Sequence, residues 1–175
     1  MIAAVLGGVL AAQDTPETPT APEPSEPTKT INTAHFKPVA KALAELDTLN
    51  ATPNYKAKYY IYLQSASWCG PCCEELPKIV KLYPAMKKKK VELILVGHDH
   101  GNEKVLAFLK SFKAGFPGIC KSAEGVQDLP GLTLTDFVPS AIVVDDKGRV
   151  LHKGEGSDVL HWETLIKKKP VKTRK

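Results

Sequence analysis

Three of the chain's four cysteines lie in one short segment, "SASWCGPCC" at residues 65–73. Cys69 and Cys72 have the Cys-x-x-Cys spacing, which proteins use for reversible disulfides and for half of a zinc site. A zinc site would require a second such pair or two histidines at helical spacing, and the sequence contains neither. A disulfide across so few residues closes too small a loop to stabilise the fold much. The spacing therefore favours a reactive pair over a structural crosslink.

The patterns on either side of the pair predict where it lies in the fold. Before it, "KYYIYLQSA" has the aromatic and β-branched residues typical of a strand. After it, four apolar residues recur at the i, i+3, i+4 and i+7 spacing of a helix: Leu76, Ile79, Val80 and Tyr83. The cysteines are therefore predicted where a strand turns into a helix.

A cysteine at a helix N-terminus has predictable chemistry. Unpaired backbone N–H groups and the positive end of the helix dipole favour a thiolate over a thiol, so Cys69 is the expected nucleophile. Cys72 lies one turn later, where it can attack the mixed disulfide between Cys69 and a substrate. Pro71 presets the first helical turn, and Gly70 leaves the backbone approachable.

Other segments extend the alternation of helices and strands. "FKPVAKALAELDTL" and "NEKVLAFLKSF" have helical spacing of apolar residues, and Asn102 is the expected N-cap of the second. "VELILVG" predicts a buried strand, and "SAIVVDDKGRVLHKG" predicts a hairpin around "DDKG". The Gly- and Pro-rich residues 114–137 suggest one short strand near residues 118–121. These elements predict a single α/β fold.

The chain is expected to close with a helix. "SDVLHWETLIKK" places Val159, Trp162 and Ile166 on one helical face.

The first thirty residues differ from the rest in composition. Residues 1–12 are small or apolar, which matches the length of a signal-peptide core and falls short of the ~20 residues that span a bilayer. Residues 13–30 alternate Pro with Thr, Glu and Ala and predict a disordered linker. Residues 31–175 are the expected folded domain. We therefore expect an exported protein, periplasmic or secreted, whose mature form has no membrane span.

The overall composition suits one ordinary globular domain, with 43% hydrophobic and 25% charged residues. The net charge of +5 comes partly from "KKKK" and from the basic C-terminal tail. Neither run is interleaved with aromatic residues, so we expect no nucleic-acid partner.

Together these motifs resemble a known family. "WCGPC" at a helix start, Pro77, "FVPS" before a strand and Gly156 after the hairpin occur in the order and spacing of thioredoxin. The longer runs "SASWCGPCCEELPKIVKLY" and "VELILVGHD" are similar to the TlpA-type exported thioredoxins and to the tryparedoxin and nucleoredoxin group. The resemblance covers roughly residues 59–167. It implies a thioredoxin fold, in which a central mixed β-sheet is flanked by helices.

The resemblance also implies roles for particular residues. The proline of "FVPS", Pro139, is cis in the family and faces the cysteine pair, and Val138 beside it pairs with an extended substrate through backbone hydrogen bonds. From sequence alone, Pro139 could equally be an ordinary trans proline at a strand start. Trp68 is expected to join Gly70 and Pro71 on the substrate-facing surface, the alternative being that its ring packs in the core.

An acid near the cysteines is expected to move protons. Glu75 corresponds to a carboxylate that assists the buried cysteine in exported relatives, although it could also be an exposed helix acid. Thioredoxin itself carries its acid in the preceding strand, where this chain has Leu63.

The expected function is that of an exported thiol-disulfide oxidoreductase. The resemblance implies that it reduces protein disulfides, because Gly-Pro is the dipeptide of the reducing members, and that it receives electrons from an upstream thiol donor. We expect a monomer without cofactor or metal. Two alternatives remain: a disulfide oxidase or isomerase on the same fold, and a non-catalytic module that binds a metal or client.

Two cysteines depart from the family pattern, and one histidine motif needs a separate explanation. Cys73 could compete with Cys72 for the sulfur of Cys69, or be a small inert side chain on another helix face. Cys120 could pair with Cys73, bind a partner or remain buried. The histidines of "HDH", residues 98–100, suggest a metal site, although residues at a strand end commonly face solvent.

Overall fold

Five strands form one sheet in the part of the chain that this computed structural model describes, residues 38–171. They are β1 (Tyr59–Ser65), β2 (Val91–Gly97), β3 (Gly118–Cys120), β4 (Ser140–Asp145) and β5 (Val150–Glu155). Their order across the sheet is β3-β2-β1-β4-β5. Strands β1, β2 and β3 are parallel, whereas β4 is antiparallel to both β1 and β5. The sheet is therefore mixed, with β1 at its centre.

Within the described range, four α-helices and two 3-10 helices accompany the sheet. The α-helices are α1 (Pro38–Ala44), α2 (Gly70–Lys88), α3 (Asn102–Ser111) and α4 (Trp162–Leu165). The 3-10 helices span Val126–Asp128 and Gly156–His161.

Both faces of the sheet are covered, because successive side chains of a strand point to opposite sides. Ile61 and Leu63 of β1 face the core cluster that contains buried residues of α2, α3 and α4. Tyr60 and Tyr62 face the opposite cluster, to which α1 contributes. A sheet buried on both sides has continuous apolar strands, which explains why every residue of β2 is buried. The predicted α/β fold, a central mixed sheet flanked by helices, is confirmed.

One carboxylate is buried beneath α2. Glu92 in β2 is 1% exposed, and its Oε1 accepts a hydrogen bond from the Tyr83 hydroxyl at 2.7 Å. Its Oε2 accepts one from the backbone N–H of Asn54 at 2.8 Å. Burial raises the pKa of Glu92, and these two donors oppose that shift. The interaction with Tyr83 ties α2 to the strand beneath it.

Two sequence predictions about helices were wrong. Asn102 is the first residue of α3 rather than its N-cap, which is Gly101 at a positive φ of 89°. The expected closing helix is mostly 3-10, followed by the short α4. The buried positions of this region recur at every third residue, the period of a 3-10 helix: Gly156, Val159, Trp162 and Leu165.

Other predictions were confirmed or lie beyond the described residues. The short strand in the Gly- and Pro-rich stretch is β3, and the hairpin is formed by β4 and β5. The signal-like segment, the linker and the first residues of the expected domain lie outside the described range. Among residues 38–171, no helix is both long and apolar enough to cross a membrane.

Candidate active site

The cysteine pair lies where β1 turns into α2, as predicted. Cys69 is the N-cap of α2, with an extended backbone conformation, and its sulfur accepts the backbone N–H of Cys72 at 3.3 Å. Cys69 and Cys72 form a disulfide, with Cα atoms 5.2 Å apart. Pro71 occupies the first helical turn, where a backbone N–H would have no intrahelical acceptor, so the N–H that proline lacks costs no hydrogen bond. One helix end thus supplies both the sulfur and a donor that favours negative charge on it.

The disulfide lies just below the surface. Cys69 is 5% exposed and Cys72 is 2% exposed. Around them, Trp68 is 65% exposed, and Gly70 and Pro71 are also exposed. Both cysteines are therefore buried, and they lie beneath an exposed rim of neighbouring residues.

The loop before β4 closes the site from the other side. The Val138–Pro139 peptide bond is cis, as the resemblance implied. The carbonyl oxygen of Val138 lies 3.6 Å from the sulfur of Cys69, and Val138 packs against the buried cluster of Ala66, Cys69 and Cys72. In the disulfide the Cys69 sulfur carries no proton to donate, so this distance is a contact and not a hydrogen bond. Pro139 leads directly into β4.

Glu75 lies against Pro139 and Gly156. A Cβ atom added to Gly156 would lie 2.5 Å from Pro139 Cβ and 2.8 Å from Glu75 Oε2, so only glycine fits there. The oxygen Oε2 is buried and has no hydrogen-bond partner among the described residues. Burial raises the pKa of the Glu75 carboxyl; Lys78 opposes the shift, and the nearby carboxylate of Glu155 adds to it. The residue is therefore a half-buried acid beside the site rather than an exposed one.

The predicted site residues fall into two groups. Cys69, Cys72 and Val138 pack together at the disulfide, and the next residue, Pro139, meets Glu75 at Gly156. The residues expected to contact substrate form an exposed rim. Those rim residues are Trp68, Gly70 and Pro71.

One exposed aromatic at the site was missed by the sequence analysis. Phe137 is 83% exposed and directly precedes Val138. Its backbone N–H donates to the Thr135 hydroxyl at 3.1 Å, which holds the loop in place. A large apolar residue next to "VPS" was the available signal.

The two remaining cysteines are free thiols and do not pair with each other. Cys73 is half-buried, with its sulfur 3.4 Å from the carbonyl oxygen of Ser67, and it lines a shallow depression with Phe108 and Phe112 of α3. This is a different face of α2 from the one that carries Cys72. Cys120 is 2% exposed.

Within residues 38–171, no group of three or more His, Cys, Asp or Glu side chains is arranged to hold a metal ion. In "HDH", the ring Nε2 of His98 lies 3.2 Å from Gln64 Oε1. Burial lowers the pKa of His98.

The family comparison is consistent with this geometry. Residues 32–165 match the model of the redoxin family. A thiol-disulfide oxidoreductase ResA of Bacillus thuringiensis is 32% identical over 91 residues, which cover 51% of this chain and 50% of that protein. The sporulation thiol-disulfide oxidoreductase A of Bacillus subtilis is 28% identical over 102 residues, covering 56% and 59%. The chain thus spans about half the length of the curated relatives it matches.

Solved structures show the same fold. A thioredoxin from Wuchereria bancrofti superimposes with a TM-score of 0.52 at 23% identity, over 63% of this chain and 78% of that one. A thiol:disulfide interchange protein from Bacteroides sp. superimposes with a TM-score of 0.54 at 22% identity, over 67% and 82%.

Proposed function

The chain belongs to the redoxin family, and from that membership and the site's geometry we propose that it is a thiol-disulfide oxidoreductase that reduces protein disulfides. The observation that carries the proposal is the Cys69–Cys72 disulfide at the N-terminus of α2, beside the cis bond before Pro139. The curated relatives' names support the same activity.

The first exchange is made by Cys69. Its thiolate attacks one sulfur of a client disulfide, so that the client S–S bond breaks and a mixed disulfide forms. The released client thiolate takes up a proton. The Cys72 N–H, which lies 3.3 Å from the Cys69 sulfur in the disulfide, stabilises the thiolate before attack.

The second exchange is made by Cys72. Its thiol passes a proton to Glu75, and the resulting thiolate attacks the Cys69 sulfur, which breaks the mixed disulfide and releases the second client sulfur as a thiolate. Glu75 then gives up its proton, and the client thiolate takes up a proton in turn. Two electrons have then moved from the pair to the client, and the Cys69–Cys72 disulfide remains. The raised pKa of Glu75 suits it to accept a proton from a thiol, because proton transfer is most efficient between groups of similar pKa.

The client is bound beside Pro139. An extended client segment pairs with the backbone of Val138, while Trp68, Gly70, Pro71 and the exposed Phe137 contact its side chains. These exposed residues flank Cys69, which is itself only 5% exposed. Binding there places the client disulfide over Cys69 rather than over Cys72.

The wider setting of the reaction is also proposed. The protein acts outside the cytoplasm as a monomer, and a separate thiol donor returns the disulfide to the dithiol. It needs no cofactor, since thiol-disulfide exchange proceeds between sulfur atoms alone.

Insulin reduction followed by turbidity tests the activity. The parent should accelerate precipitation with dithiothreitol as donor, and Cys69→Ser should abolish the effect. Cys73→Ser is the matched control and should behave as the parent, because its sulfur faces Ser67 and α3. An inactive parent, or a fully active Cys69→Ser, would contradict the proposal and favour a binding module.

Direction is tested by the reduction potential of the pair. A reductase should have a value near that of thioredoxin, about −270 mV, whereas a value near −120 mV would indicate an oxidase. Clients can be identified with Cys72→Ala, which should stall the reaction at the mixed disulfide with Cys69.

A further inference from the structure

One buried carboxylate holds the turn between β1 and α2. Asp99 follows β2 and is 5% exposed. Its Oδ1 accepts hydrogen bonds from the Ser67 N–H at 3.2 Å and from the Ser67 hydroxyl at 2.5 Å, and its Oδ2 lies 3.1 Å from the same nitrogen. Donors of this kind offset the desolvation of a buried carboxylate. Both belong to a residue two positions before Cys69.

Asp99 is itself fixed from two sides. Its neighbour His98 donates its backbone N–H to Ser65 O at 2.8 Å, which ties the end of β2 to the end of β1. The buried thiol of Cys120 in β3 donates to Asp99 O at 3.5 Å. The backbone around Asp99 is therefore tied to β1 and β3, and its carboxylate connects this point to the active-site turn.

The turn has few other bonds. Cys69 N–H donates to Ala66 O at 3.3 Å, which is long for a backbone bond, and the Cys73 thiol lies 3.4 Å from Ser67 O. The Ser67 side chain is exposed, so packing does not hold it.

We propose that Asp99 is a positioning residue for the exchange reaction: by holding Ser67, it keeps Cys69 as the N-cap of α2 with its sulfur on the Cys72 N–H. The inference rests on the proposed function for its significance. It gives a role to the aspartate of "HDH" and to the free thiol of Cys120, neither of which takes part in sulfur exchange.

Geometry and charge make opposite predictions for this residue. A negative charge near Cys69 disfavours a thiolate, so removing charge alone would make Cys69 ionise more easily. Removing the hydrogen bonds would loosen the cap and make Cys69 ionise less easily. Asp99→Asn retains an Oδ1 that can accept both bonds from Ser67, whereas Asp99→Ala retains none.

The test is the pH dependence of iodoacetamide alkylation of the reduced full-length protein, read at Cys69 by tandem mass spectrometry. Asp99→Ala should raise the midpoint by about one pH unit, which is a tenfold loss of thiolate at a given pH below the midpoint and corresponds to about 1.4 kcal/mol. Asp99→Asn should lie at or below the parent midpoint. Asp128→Ala, at an exposed aspartate, is the matched control and should match the parent. Other titratable groups facing this region are His98, Cys73, Lys104, Cys120, Lys121 and Asp136, and they are common to all variants.

A parent-like midpoint in Asp99→Ala, or an equal upward shift in Asp99→Asn, would overturn the inference. If circular dichroism shows that Asp99→Ala does not fold, Ser67→Ala is the deciding variant, because it removes only the hydrogen bond from the hydroxyl. Its alkylation midpoint should rise by a few tenths of a pH unit. An unchanged midpoint would overturn the inference. Alkylation needs no turnover, so an inactive parent with these shifts would contradict the proposed function and leave the positioning role supported.

Discussion

Replacing Glu75 by Gln is expected to make the protein more stable and the enzyme slower. Burial raises the pKa of Glu75, Lys78 opposes the shift, and the carboxylates of Glu155, Glu74 and Asp158 add to it. A carboxyl whose pKa is higher in the folded than in the unfolded protein destabilises the fold at pH values above both pKa values, and not below them. At neutral pH the parent therefore carries a penalty that the amide does not.

The magnitude follows from the charge on the unpartnered oxygen, because the amide would also leave a polar atom there without a partner but carries no charge. A buried polar group without a hydrogen bond lowers the free energy of unfolding by about 1–3 kcal/mol, and a charged group lowers it further. Glu75 is only half-buried, so the lower end applies, and we expect Glu75→Gln to add about 1 kcal/mol at neutral pH. For a domain of this size, that is a rise in Tm of about 3–5 °C. The difference in free energy of unfolding between Glu75→Gln and the parent should disappear below about pH 4, where the parent carboxyl is protonated in both the folded and the unfolded protein.

Urea denaturation followed by circular dichroism at neutral pH and near pH 4 measures the stability gap. Insulin turbidity measures turnover, which should fall about 100-fold because Cys72 loses its proton acceptor. Glu163→Gln, at an exposed acid in α4, should change neither quantity. The reasoning fails if Glu75→Gln is less stable than the parent at neutral pH, or if the gap is the same at both pH values.

Three further substitutions test the packing and the rim of the site. Gly156→Ala should lower the free energy of unfolding in urea by about 1–3 kcal/mol, because its Cβ would lie 2.5 Å from Pro139 Cβ. Tyr83→Phe should lower it by about 1.5–3 kcal/mol, since the hydroxyl donates to buried Glu92 at 2.7 Å. Trp68→Ala should leave Tm unchanged and raise KM for insulin about tenfold in steady-state assays, because a ring that is 65% exposed contributes little to the core.

Matched controls separate these effects from general damage. Gly115→Ala should be tolerated, since the nearest atom to its added Cβ, on the Tyr83 ring, is 3.8 Å away. Tyr59→Phe should be near neutral, and a loss equal to that of Tyr83→Phe would contradict the role given to Glu92. For Trp68→Ala, an unchanged KM for insulin, or an equal rise in KM for a small disulfide, would contradict protein-client recognition at the rim.

Local patterns were enough to predict the position of the cysteine pair. The change from a strand pattern to a helical one around Cys69 is a property of neighbouring residues, and so is the hairpin of β4 and β5. The prediction of the closing helix failed because apolar residues three apart fit a 3-10 helix as well as an α-helix over so short a stretch.

Contacts between distant segments could not be predicted in this way. Glu75 meets Gly156 only because the end of β5 returns beside α2, and Asp99 meets Ser67 only because β2 lies next to β1. Composition predicts that such acids prefer water, and only the fold shows which donors or gaps surround them.

The first turns of α2 give Cys69 and Glu75 opposite surroundings, and the proposed reaction requires this difference. At Cys69 the first turn offers the N–H of Cys72, so negative charge on that sulfur has a partner at 3.3 Å. One turn after Cys72, the carboxyl of Glu75 is half-buried and its Oε2 has no donor among the described residues, so burial raises its pKa. A nucleophile must give up its proton before the client arrives, whereas a base must still be able to take one from Cys72 afterwards. Cys69 has a hydrogen-bond donor and Glu75 has none, and this contrast separates the two roles along a single helix. Supplying Glu75 with a hydrogen-bond donor should therefore stabilise the protein and slow the second exchange.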